Sequence, residues 1–208
     1  MIDLQDLEVY VKEYTKFKIE KVKELSQLYK QKIYANDYLL KRIETMNPEV
    51  AKKRESLKEE FKNKLNSLID TFQKDLSKKP ENYDLKMNTA VILINSLGNN
   101  LTEKELKEIL NPFKYDYKSI CTLYKIIKQN GADCGLWSFY ENVDIILKKL
   151  YQGIENSDNF FTLAEINLND ITAYNGEIYS TMESINLEFW ISEMQKKIKN
   201  LYLVIEDL

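Results

Sequence analysis

The chain has no histidine. That absence removes the commonest general base, the Ser-His and Cys-His nucleophile pairs and nearly every zinc-hydrolase pattern. With no Glu-x-x-His pair, a di-iron bundle is excluded too. Cysteine is nearly as scarce: Cys121 and Cys134 cannot build a disulfide framework or a Cys-only zinc site, so a reduced, cytoplasmic setting is expected. The five glycines, at positions 98, 131, 135, 153 and 176, are too scattered to form a phosphate-cradling loop. Arginine occurs only as Arg42 and Arg54, whereas readout of phosphates or bases favours the bidentate guanidinium, so nucleic acid is a poor fit as partner. No apolar run approaches a membrane span, and the opening Met1-Ile2-Asp3-Leu4-Gln5-Asp6 is acidic, without the apolar core of a signal peptide. No catalytic residue, metal or cofactor is expected, and the chain reads as a non-enzyme.

What is present points to a helical protein. The 208 residues allow one or two domains; 44% are hydrophobic and 30% charged, and only three prolines join the five glycines, so few, long elements are expected. Residues 1–79 hold 18 Lys/Arg against 14 Asp/Glu and residues 80–208 hold 12 against 19, so the halves carry +4 and −7. Such a split favours head-to-tail contact between copies of the chain, weakened by screening at physiological salt.

The most regular stretch runs from Val50 to Leu76. Leu57, Phe61, Leu65, Leu68, Phe72 and Leu76 step by four, four, three, four and four, an eleven-residue repeat. Eleven residues over three turns nearly match the natural helical pitch, so the stripe stays on one face of an almost straight rod. Upstream, Leu4, Leu7, Val11, Tyr14, Val22, Leu25, Tyr29 and Ile33 form a second stripe, with Val11, Val22 and Ile33 in the same repeat. Two helices of matching period are natural antiparallel partners. Asn47-Pro48-Glu49 supplies a cap, a first-turn proline and a helix-start acid, which predicts a first helix to about Met46 and a turn there. The alternative break is Ala35-Asn36-Asp37. Tyr10, Tyr14 and Tyr29, with Tyr34 and Tyr38, are numerous for a two-helix seam, and Tyr favours partly wet interfaces. Tyr10, Tyr14 and Tyr29 with the six stripe residues, Leu57, Phe61, Leu65, Leu68, Phe72 and Leu76, are the candidate interface.

Lys78-Lys79-Pro80-Glu81-Asn82 marks a boundary between a stalk, residues 1–79, and a bundle, residues 80–208. Val91-Ile92-Leu93-Ile94 fits a buried strand or helix, and helix is preferred because Gly98-Asn99 makes a good stop. Thr102 and Glu105 spell a capping box, with Leu101 and Leu106 as hydrophobic staple. Pro112 should start a helix carrying Phe113, Tyr117, Ile120, Tyr124 and Ile127, stopped at Asn130-Gly131; Leu136 to Gln152 is its companion. Phe160-Phe161-Thr162-Leu163 reads as a packed loop or short strand. A last long helix carries Ile171, Tyr174, Ile178, Met182, Ile185, Phe189, Met194, Ile198, Leu201 and Ile205. The expected fold is all-α: a long antiparallel, coiled-coil-like hairpin followed by a helical bundle with a long C-terminal helix. Residues 83–208 should carry enough apolar surface to fold alone.

Several features read more simply as structure than as sites. Glu103 and Glu105 are helix-start charges, Cys134 is a loop bystander with nothing to lower its pKa, and Lys52-Lys53-Arg54 and Lys196-Lys197 with Lys199 are solvated helix faces. Leu97-Gly98-Asn99-Asn100-Leu101-Thr102-Glu103-Lys104-Glu105-Leu106, followed by Leu110-Asn111-Pro112-Phe113-Lys114-Tyr115-Asp116-Tyr117, resembles small helical virion-assembly, scaffold-like proteins of bacteriophages of low-GC Gram-positive bacteria. That resemblance implies an elongated, oligomeric helical protein, in the host cytoplasm or the virion. Where scaffolds often finish with a basic capsid-binding helix, this chain has Ile205-Glu206-Asp207-Leu208. The expected function is a self-associating assembly or virion-associated structural protein with phage structural proteins as partners. The alternative is a helical inhibitor or adaptor that binds a host protein through the acidic second half.

Overall fold

The computed structural model describes residues 1–31, 36–131, 137–161, 165–174 and 182–208. Among these the protein is all-α: α1 (Glu8–Lys30), α2 (Asn36–Asp75), α3 (Tyr83–Leu97), α4 (Glu103–Leu110), α5 (Tyr117–Gln129), α6 (Trp137–Glu155), α7 (Leu168–Ala173) and α8 (Met182–Asp207), with short 3-10 turns before α1 and after α3, α4 and α6. The one extended pairing among them is an isolated antiparallel bridge, Ser77 with Asp116. No described helix is long and apolar enough to cross a membrane.

The long helix lies elsewhere than expected. Pro48 does not begin a helix after a turn; it sits inside α2, which runs 40 residues without interruption. An interior proline costs ~3 kcal/mol because it removes one backbone hydrogen bond and crowds the preceding turn. Against that, Leu39, Ile43, Met46, Val50 and Leu57 are all buried, and each buried side chain contributes about 1.5–3 kcal/mol only if the helix continues through Pro48. Burial wins. The reversal falls between Lys30 and Asn36, close to the alternative break, although Asn36 and Asp37 of that break already belong to α2; Ile33, Tyr34 and Ala35 lie outside the described residues. The eleven-residue beat survives in a fuller form, since Leu39, Val50, Phe61 and Phe72 are all buried at that spacing.

The chain divides into two compact units, each assembled from separated stretches: Met1–Asp3, Leu68–Leu150 and Met194–Leu208 in unit 1, Leu4–Ser67 and Tyr151–Glu193 in unit 2. These pieces do not follow the expected stretches 1–79 and 80–208, because the divisions fall inside α2, α6 and α8.

In unit 2, α1 and α2 form the antiparallel hairpin. Their ion pairs are Asp6 with Lys64 (3.1 Å), Glu13 with Lys53 (2.5 Å), Lys21 with Glu49 (2.9 Å) and Glu24 with Arg42 (3.1 Å). As the first partner's number rises, the second's falls. Phe160 and Phe161 are buried as a packed loop, one of the two readings of that segment, with Thr162 and Leu163 outside the described residues. Phe61 lies 5.7 Å from Phe160 and 5.9 Å from Phe161 between ring centres, and Tyr14 lies 5.9 Å from Phe161. Gly153 is needed there, since a Cβ at that position would come within 2.6 Å of the Trp190 ring. Asn47, expected as a cap, instead holds the backbone of the segment before α7: its Nδ2 donates to the Ile166 carbonyl (3.2 Å) and its Oδ1 accepts from the Ile166 N–H (2.8 Å).

Arg54 and Lys58 anchor the loop in the same way, which gives an electrostatic prediction. Arg54 donates to the Phe161 carbonyl and pairs with Asp158 at 3.0 Å, as does buried Lys58. The Lys58 ammonium bonded to Asp158 holds that carboxyl below its ordinary range. A carboxylate with a depressed folded-state pKa stabilises fully above its unfolded pKa and loses that contribution as pH falls through the folded one. Acid titration of chemical stability should therefore show a loss beginning in the ordinary carboxylate range and continuing below it, and Asp158→Asn should make that loss shallower. An unchanged profile in the variant would contradict the anchor.

Unit 1 contains α3, α4 and α5. The bridge at Ser77 is reinforced by Lys78 N–H to the Tyr115 carbonyl (3.0 Å) and Tyr117 N–H to the Leu76 carbonyl (2.9 Å). Pro112 does not start a long helix: residues 111–113 form a 3-10 turn, and α5 begins only at Tyr117, where the Asp116 side chain caps Ser119 N–H. The buried cluster joins Ala90, Ile94, Leu106, Leu110, Phe113, Ile120, Leu123, Ile127 and Leu208. At the end of the chain, the expected helix from Ile171 onward is two helices. α7 closes at Ala173 behind its own Asn167/Asp170 capping box, and Tyr174 is extended, while Gly176 and Ile178 lie outside the described residues. Phe189 was expected on the apolar stripe but is exposed, because the buried face of α8 runs through Leu187, Ile191, Met194, Ile198, Leu201 and Ile205.

Candidate functional site

Most of the expected interface is used up inside the chain. Leu57, Phe61, Leu65, Phe72 and Leu76 are buried, and Tyr14 is buried against Phe161. Leu68 and Tyr10 are half-buried, and only Tyr29 among the nine is exposed. The stripe read as an interface has its cover within this chain, and Ile69 rather than Leu68 continues its buried face. Cys121 is half-buried and its thiol is pushed up chiefly by burial, the opposite of an activated nucleophile; Cys134 lies outside the described residues.

The apolar surface left over lies on α3. Its sequence, Tyr83-Asp84-Leu85-Lys86-Met87-Asn88-Thr89-Ala90-Val91-Ile92-Leu93-Ile94-Asn95-Ser96-Leu97, is apolar on more than one face, the pattern of a helix enclosed on all sides. Here only Ala90 and Ile94 are buried. Leu85 is 69%, Ile92 64% and Leu93 40% exposed. The helix reading of residues 91–94 therefore holds, while their burial does not extend to Ile92 and Leu93.

Part of this surface forms an open groove of about 420 Å³ within unit 1. Leu85, Thr89, Leu93 and Leu97 recur every four residues and make one wall. Thr89 adds no polar demand, since its hydroxyl donates to the Leu85 carbonyl of its own helix at 2.8 Å. Ala90 and Phe113, both buried, also line the groove, as do Ile109 and Pro112. Charge is placed asymmetrically: Glu105 and Glu108 come from α4, Lys86 from α3.

The capping box fixes Glu105. Its carboxylate accepts from Thr102 N–H (2.9 Å) and Thr102 Oγ1 (2.7 Å), while Glu105 N–H donates to Thr102 Oγ1 (3.3 Å). The hydroxyl of Thr102 and then its backbone N–H hold the carboxyl below its ordinary value, so the rim stays negative at neutral pH. Glu108 meets Lys104 at 3.9 Å with both side chains well exposed, a pair worth only ~0.3–0.5 kcal/mol and readily exchanged for another cation. The sequence identified the capping box but not the groove beside it. The available signal was an excess of apolar residues on α3 over what one helix face can bury.

A second, polar cavity of about 500 Å³ in unit 1 is lined by Asp75, Lys78, Tyr115, Lys199, Tyr202 and Glu206 among others. Its carboxylates are already engaged: Asp75 accepts from Lys78 (2.8 Å) and the Tyr202 hydroxyl (3.2 Å), and Glu206 accepts from the Tyr115 hydroxyl. Burial pushes the Tyr202 hydroxyl up, and the bond to Glu206 raises that of Tyr115, so neither phenol is prepared to ionise. This network locks residues together and does little to invite a ligand. No family model, no curated protein and no solved structure matches the chain.

Proposed function

We propose that this chain is a protein-binding helical module, an adaptor or inhibitor that acts by occupying a partner's surface and performs no chemistry of its own. The observation that carries the reading is α3, whose Leu85, Ile92 and Leu93 remain exposed beside an acidic rim. Contiguous exposed apolar surface rimmed by polar groups is characteristic of interaction sites. The lack of histidine and the +4/−7 division of charge fit the same reading. A second reading, self-association as an assembly or virion-associated protein, draws on Tyr29, Tyr38 and Leu40, all exposed near the α1–α2 reversal.

Affinity capture with the intact chain and with the double variant Leu85→Asp, Leu93→Asp tests the proposal. The expected result is a different protein retained by the first and lost by the second, with circular dichroism showing the variant still folded. Recovery of only further copies, together with a mass above the monomer in light scattering that persists in the variant, would instead favour self-association through the hairpin end.

A further inference from the structure

The groove has a length, a spacing and a polarity, and together they specify an occupant. From Leu85 to Leu97 it spans about 18 Å at the helical rise, enough for three to four turns of a second helix. Side chains on its α3 wall repeat every four residues, so they mesh with apolar residues at matching spacing on a packed helix. One flank offers Glu105 and Glu108 and the other Lys86, so opposite edges prefer opposite charges. Resting on the protein-binding reading above, we infer that the groove between α3 and α4 takes an amphipathic helix of a partner protein, with aliphatic residues at i, i+4, i+7 and i+11 and Lys or Arg along the edge facing Glu105 and Glu108.

The occupant is a different protein and not a second copy, because the surface that would have to enter is wrong for the rim. Among the described residues α3 has more exposed large apolar side chains than any other helix, so a pair of copies joined through this face would set α3 in the groove, and α3 carries one acid, Asp84, and one base, Lys86. It cannot place a row of cations against the two glutamates. A basic helix can, and it also exchanges the weak Lys104–Glu108 pair for a shielded one at the groove edge.

The test uses the full chain and two fluorescent helical peptides. Both carry leucines at i, i+4, i+7 and i+11; one has lysines along a single flank, the other glutamates at the same positions. Fluorescence anisotropy should show the lysine peptide binding about fivefold or more tighter than the glutamate peptide, the scale of two exposed ion pairs. Glu108→Lys should reverse or abolish that preference, and Leu93→Asp should weaken both peptides. Added salt should narrow the difference. Circular dichroism keeps the outcome interpretable, since both changed side chains are exposed and the variants should keep the parent spectrum.

If both peptides bind equally and Leu93→Asp releases both, the groove docks apolar helices without charge selection; the basic-partner inference falls and the protein-binding reading stands. If neither binds and Leu93→Asp converts a dimer to a monomer in light scattering, a second copy occupies the groove and the inference is overturned. If neither binds and the chain is monomeric throughout, the inference and the reading beneath it both fall.

Discussion

Leu65→Asp should unfold unit 2, while Leu68→Asp three residues away should be tolerated. Leu65 is fully buried, and its Cδ2 lies 3.4 Å from where a Cβ on Gly153 would be, so an aspartate there would be enclosed by apolar atoms without a partner. An unpaired buried charge costs several kcal/mol, a large fraction of the ~5–15 kcal/mol that holds a typical domain together. Leu68 is half-buried, and from there a carboxylate can turn towards water. Urea unfolding followed by far-UV circular dichroism should show a collapsed transition for the first variant and a modest shift for the second. A Leu65→Asp protein that stayed folded and lost only an oligomer would place the stripe between chains, against the burial described above.

The second large effect belongs to unit 1. Phe113→Ala should cost ~3–5 kcal/mol, the range for removing a fully enclosed aromatic ring. Phe113 sits in the buried cluster, meets Tyr83 edge-on at 6.2 Å between ring centres, and lines the groove. Leu93→Ala on the α3 wall should cost about 0.5 kcal/mol or less, as befits a partly exposed side chain. Urea midpoints at unchanged slope provide the measurement. Equal losses from the two substitutions would mean that Phe113 does not anchor a packed floor.

The helical class, the α1–α2 pairing and the Thr102 capping box were legible because each rests on local periodicity or on a side chain bonded within four residues. Pro48 was misread because Asn-Pro-Glu looks the same at a helix start and inside a helix whose burial outweighs the proline. What decides between them is the burial of Leu39, Ile43 and Met46, a long-range fact. Asn47 shows the same limit, since its amide bonds reach Ile166, 119 residues away. Leu68 and Ile69 are neighbours that fit the repeat almost equally well, and only the packed partner selects Ile69. The groove was hidden for a related reason: apolarity reveals how much surface wants cover, not which part of it receives none.

Unit 1 takes in both Met1–Asp3 and Met194–Leu208, and Gln195 Nε2 donates to the Ile2 carbonyl at 3.1 Å. During synthesis, the hairpin of α1 and α2 emerges early, yet residues 151–193, which complete its unit, follow only after more than half of the sequence has been made. The pieces of unit 1 are not all present until residues 194–208 emerge. Bringing distant segments together adds only ~0.6 kcal/mol of closure entropy for each doubling of the separation, but it slows folding. Both units therefore close late, after the last of their separated stretches has been made, and until then part of the hairpin's apolar stripe waits uncovered. For the same reason residues 83–208 made alone lack the Leu68–Asn82 portion of unit 1, and a cut between residues 79 and 80 leaves two fragments that must find each other before either is whole.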